Sequence, residues 1–90
     1  MSVSIELLDA VKASNGGVSD YRAAKMIGVS QPMMSKYRNE AVPMSAEKVI
    51  LCCKLANLNP LEWLIRLQME RAKCQDEFTL WDDALHRLAA

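Results

Sequence analysis

Four times along this chain a small polar residue stands directly before a short apolar-periodic run: Ser19, Ser30, Ser45 and Asn59. A side-chain oxygen at such a position accepts from a backbone amide two or three residues on, which is how a helix starts. The Asn59 signal is the strongest of the four. Pro60 follows at the first helical position and Glu62 at the third, so preset φ and a capping carboxylate both favour a helix there. Asn15-Gly16-Gly17 and Gly28 supply the stops, at points where a chain leaving a helix wants positive φ. A chain punctuated in this way folds as a series of short helices. Composition enters only to exclude strands: glycine and proline are scarce, β-branched residues are sparse, and strong helix formers dominate.

Apolar spacing then gives each helix an expected inner face. Leu7, Leu8 and Val11 stripe a helix over residues 4–14, and Tyr21, Ala24 and Ile27 face inward from a second over 19–26. A third runs over 30–38, with Pro32 harmless in its first turn. Val49, Ile50, Cys53 and Ala56 line a fourth over 46–56, and Leu61, Leu64, Ile65, Leu67 and Met69 a fifth over 60–74. After a break near Gln75-Asp76, Phe78, Trp81, Leu85 and Leu88 repeat at three- and four-residue intervals. Ninety residues make one core. The expected fold is all-α: five helices over residues 1–74 and a C-terminal helical extension over 75–90.

Formal net charge is zero, yet bases outnumber acids in residues 1–60 and acids outnumber bases in 61–90. That asymmetry suits a molecule that meets a polyanion with one end only. Cys52, Cys53 and Cys74 form neither pairs nor a zinc ligand set beside a single histidine, His86. They are expected to be free thiols in a reducing cytosol, with at least one in the core. Charges interrupt every apolar run, so neither a signal peptide nor a membrane span is expected. Glu62, Glu70 and Glu77 lack a partner His or Cys, and Asp82-Asp83 reads as a solvated face. No enzyme, cofactor, metal site or small-molecule substrate is expected.

Ile27-Gly28-Val29 is a three-residue turn between two short helices, which defines a helix-turn-helix. Such helices cross closely, which requires a small residue four positions before the turn glycine, and Ala24 stands there. Ile27, Val29, Met34 and Tyr37 supply the apolar residues that lock the second helix onto the first. The outward side of the second helix keeps Gln31, Pro32, Met33, Ser35, Lys36 and Arg38. A helix that buries one side and displays Gln, Ser, Lys and Arg on the other is built to enter a major groove. Of the adjacent Met33 and Met34, the second is the expected core residue.

The run from Ser19 through Ala23-Ala24 and Ile27-Gly28-Val29-Ser30-Gln31-Pro32 to Ser35-Lys36-Tyr37 resembles the λ-repressor-like, Cro/CI-type (XRE-like) helix-turn-helix domain of phage and bacterial regulators. The resemblance covers residues 4–73. It implies a transcriptional regulator in the bacterial cytoplasm, a phage or prophage repressor binding double-stranded operator DNA as a homodimer. Carried over residue by residue, it implies base contact by Gln31, Ser35 and Lys36, with Pro32 and Met33 against thymine methyls. Ser19, Asp20, Arg22, Arg38 and Asn39 fall at positions that meet the DNA backbone. Asp20 departs from the pattern, since a carboxylate beside phosphate is unfavourable unless it orients a neighbour such as Arg22 or Gln31.

The C-terminal stripe has two readings. Phe78, Trp81, Leu85 and Leu88 either close the core over the fifth helix or form a dimer interface, and Trp63 joins either arrangement. A rival function uses the acidic tail around Trp81 to bind another protein, as an antitoxin-like or phage accessory adaptor.

Overall fold

The computed structural model describes residues 2–90. Its elements follow the punctuation closely. Helix α1 (Val3–Ser14) starts on Ser2, whose hydroxyl accepts from the Ile5 amide, and stops at Asn15 before two positive-φ glycines. Helices α2 (Asp20–Ile27) and α3 (Gln31–Arg38) are capped by Ser19 and Ser30. Helix α4 (Ala46–Ala56) is capped by Ser45, and Asn57 ends it in the left-handed region. Asn59 caps α5 (Pro60–Arg71), and α6 (Gln75–Ala89) follows.

The described chain is thus all-helical with six helices rather than five and a tail. The expected extension is a full 15-residue helix, the longest of them. The fifth helix ends at Arg71 and not Cys74, because Ala72 and Cys74 both turn to extended backbone.

Packing runs in a chain, α1 on α4, α4 on α5 and α5 on α6, with α2 and α3 set against α1. Leu7, Leu8, Val11, Ile27, Val49, Cys52 and Cys53 are fully sealed from solvent, and Met44, expected in a loop, is sealed with them. Three inner-face expectations fail. Tyr21 points outward, 57% exposed, while Ala23 takes its place in the core beside Ala24. Leu61 is 53% exposed, and Cys52 rather than Ile50 completes the buried face of α4. On α2 the small side chains of Ala23 and Ala24 occupy the close seam, and on α5 Ile65 and Leu67 fill the buried side and leave Leu61, in the first turn, outside.

Contacts distant in sequence lock the frame. The Glu70 carboxylate accepts from the Val3 amide at 2.7 Å, joining the last turn of α5 to the open first turn of α1. Asn15 Nδ2 donates to the Val11 carbonyl at 2.7 Å and towards the Leu55 carbonyl at 3.4 Å. The radius of gyration is 13.4 Å, slightly above the ~12 Å expected for this length. Helix α6, which touches α5 alone, accounts for the elongation.

Candidate nucleic-acid interface

The α2–turn–α3 unit is assembled from short-range bonds. Gly28 sits at φ 72°, a left-handed conformation that costs other residues strain, and its amide donates back into α2. The Val29 amide donates to the Ala24 carbonyl at 3.0 Å. Lys48 reaches from α4 to donate to the Ile27 carbonyl at 2.7 Å, satisfying an orphan group at the end of α2. Ala24, Ile27, Met34 and Tyr37 are buried and Val29 is half-buried against them. Ser19 and Ser30 accept from the Arg22 and Met33 amides, both at 3.2 Å.

This assembly leaves Gln31, Pro32, Ser35, Lys36 and Asn39 exposed. Met33 differs from expectation: it is half-buried against the core, which limits its reach to a thymine methyl. Gln31 is not free to spin. Its Nε2 donates to the Tyr21 carbonyl at 3.3 Å, leaving Oε1 and the second N–H for an outside partner. Asn39 Nδ2 lies 3.5 Å from Ser35 Oγ, so these two polar groups share one turn.

Among the described residues Arg22, Lys25 and Lys36 enter no ion pair. Lys25 stacks over the Tyr21 ring, its Nζ 4.5 Å from the centroid. Tyr21 and Lys25 were not among the expected contact residues. The exposure of an aromatic on an eight-residue helix could have been suspected from Ala23-Ala24 alone, since two small residues fill the seam that Tyr21 would need.

Arg38 stands apart from the other cations. Its Nη1 donates to Asp9 at 2.7 Å and its Nη2 to Asp20 at 2.8 Å, and Lys12 Nζ lies 3.0 Å from the same Asp20 oxygen. The hydrogen bond from Arg38, then that from Lys12, pulls the Asp20 carboxyl below its ordinary range. Asp20 therefore pairs with neither Arg22 nor Gln31.

On α6, Trp81 and Leu85 are half-buried against α5, whereas Phe78 and Leu88 remain exposed. Leu80, outside the expected stripe, is 63% exposed. The middle of the stripe covers α5 and its flanks stay open. Cys52 and Cys53 are buried, and burial pushes the Cys52 thiol up to about 11 and that of Cys53 upward too; Cys74 is exposed. Among the described residues no His, Cys, Asp or Glu cluster would hold a metal ion, and no helix is long and apolar enough to cross a membrane. Comparisons with protein-family models, curated proteins and solved structures return no match.

Proposed function

We propose that this chain is a sequence-specific DNA-binding regulator, a repressor of phage or prophage type acting in the bacterial cytoplasm. It reads as a helix-turn-helix whose α3 enters the major groove. The observation that carries this reading is the face of α2–α3. A pinned Gln31 amide and three cations that enter no ion pair among the described residues, Arg22, Lys25 and Lys36, lie exposed on these two helices, while the carboxylate that opens α2, Asp20, is held by Arg38 and Lys12.

Gln31 reads a base with its free oxygen and second N–H, the pattern that matches adenine. Ser35 and Lys36 take neighbouring base edges, with Pro32 against a methyl. Ser19, Arg22, Tyr21, Lys25 and Asn39 meet the sugar–phosphate backbone. Two protomers associating through α6 engage half-sites about 34 Å apart. A second reading draws on the exposed flank of α6. Leu61, Leu64 and Trp81 border a groove of about 260 Å³, which suits a side chain of a different protein and so an adaptor role.

The test is selection from a pool of random duplexes, followed by anisotropy titration of an enriched and a scrambled duplex. Enrichment of a paired motif supports the regulator; a pool that stays random sinks it. With Arg22 and Lys25 each meeting a phosphate, log K falls against log salt with a slope of about −1.8 per protomer. Gln31→Ala is expected to weaken the enriched duplex by about 1–3 kcal/mol and leave the scrambled one unchanged. Equal losses on both would remove Gln31 from base readout.

A further inference from the structure

We propose that Arg38 is a positioning residue that clamps the C-terminal end of α3 to α1 and α2, and is not a phosphate ligand. The proposal deepens the DNA-binding reading and rests on it only for the consequence at the DNA.

One guanidinium joins three helices. Asp9 and Lys12 lie on α1, Asp20 is the first residue of α2, and Arg38 is the last residue of α3. The spans closed by the two Arg38 bonds are 29 and 18 residues, so neither is a local helix pair. The two carboxylates and two cations balance, and the cluster presents no net charge. Each terminal residue also suits its helix end, a carboxylate at the start of α2 and a cation at the close of α3. The Arg38 side chain is only 22% exposed. Among the described residues its Nε is sealed from solvent without a partner, so the group is inserted and does not lie along the surface.

Helix α3 has few other anchors, and Tyr37 is the one buried residue near its C-terminal end. Its eight residues span about 12 Å, and only Met34 and Tyr37 are buried. The Ser30 cap and the Gln31–Tyr21 bond hold its N-terminal end. A tilt of about 10° at an unheld C-terminal end would move it by about 2 Å, beyond the ~0.5 Å that a base-reading geometry tolerates. Reaching a phosphate would require Arg38 to leave two charge-assisted bonds, baring Asp9 and leaving Asp20 to Lys12 alone. The planar fork of arginine can hold both carboxylates at once, whereas a lysine ammonium is a point charge on a flexible stem.

The experiment has two independent arms on the full chain. Without DNA, amide hydrogen exchange is compared for wild type, Arg38→Ala and Arg38→Lys. The α3 amides should exchange about tenfold faster in both variants while α4 and α5 stay as they were. Unchanged α3 exchange overturns the clamp. With DNA, the enriched and scrambled duplexes are titrated over a salt series, at temperatures where each variant is folded. Arg38→Ala should lose about tenfold or more on the enriched duplex only, with the wild-type salt slope kept. A slope shallower by about 0.9 per protomer, with parallel loss on both duplexes, makes Arg38 a phosphate ligand and overturns the proposal. Full rescue by Arg38→Lys overturns it as well. A role in overall stability alone would lower the melting temperature and leave these affinities unmoved. Should Arg38→Ala fail to fold, Asp9→Asn opens one arm, with smaller shifts in the same direction expected; no shift in either arm overturns the clamp. Failure of the wild type to prefer any duplex defeats the DNA reading alone, and the exchange arm still decides the clamp.

Discussion

Helices α3 and α6 both turn a long face to solvent, and they do so by opposite means. Helix α3 is short and outwardly polar, and it is fastened at both ends and along its buried side by Met34, Tyr37, the Ser30 cap and Arg38. Helix α6 is nearly twice as long, has no buried residue, and rests on α5 alone. Its N-cap, Cys74, makes no side-chain bond to the first turn. Orientation is thus fixed by several contacts at α3, whose outer face is polar, and by packing on a single neighbour at α6, whose outer face is partly apolar. A hydrogen-bonding surface loses most of its value with small misplacement, whereas apolar contact tolerates repacking.

Five substitutions would break or sharpen this contrast, and each is read by denaturant unfolding. The largest effect is expected at Ile27, which is fully buried beneath the turn. Ile27→Ala should cost about 2–5 kcal/mol, while Leu80→Ala on α6 should stay within about 0.5 kcal/mol. A comparable loss at Leu80 would mean that α6 is already covered in solution, and self-association would follow. Next comes Gly28→Ala. The added methyl would lie 3.5 Å from Lys48 Nζ, which is ordinary contact, so the cost comes from the left-handed backbone and should be about 1–2 kcal/mol. Smaller still is the exchange of caps. Ser30→Ala should lose about 1 kcal/mol, whereas Cys74→Ser, which gives α6 the oxygen it lacks, should gain a few tenths. Loss of stability in Cys74→Ser would show that the thiol packs rather than caps.

Most of the frame could be read from the chain because capping is local: Ser19, Ser30, Ser45 and Asn59 each act within three residues of themselves. The same holds for Gly28, whose conformation is dictated by the turn. What escaped the sequence was settled across distance. Periodicity assigns a face to a helix but does not say which seam its neighbour uses, so Tyr21 and Leu61 came out on the wrong side. The carboxylates of Asp9 and Asp20 claim Arg38, expected at phosphate, and Glu70 meets Val3 across 67 residues. No spacing rule links such positions, because their meeting depends on how α1 crosses the other helices. Much of the exposed row of α3 needed no such knowledge: once Met34 and Tyr37 are buried, helical geometry puts Pro32, Ser35 and Lys36 outside, while Gln31, three residues before Met34, is exposed because it opens the helix.

The smallest expected effect separates the two regions by charge. Asp20 has its carboxyl lowered in the fold by Arg38 and then Lys12, so the folded state favours the ionised form. Its contribution is fully present above the ordinary carboxylate value of about 4 and is lost as pH falls through the lowered value. The wild type should therefore melt above Asp20→Asn near neutral pH, and the gap should close in acid. On α6 the Arg87–Asp83 pair, 2.9 Å apart, is also an ion pair, but both side chains are more than half exposed and lie on one helix. Asp83→Asn should leave the melting temperature nearly unmoved, since solvent screens such pairs to about a few tenths of a kcal/mol. Added salt should shrink the Asp20 gap, because the Asp20 side chain is 44% exposed and open to screening. A gap that persists unchanged in strong acid would show that the amide introduced by Asp20→Asn perturbs the start of α2 by packing, and the contrast between a clamped α3 and a resting α6 would then owe nothing to this carboxylate.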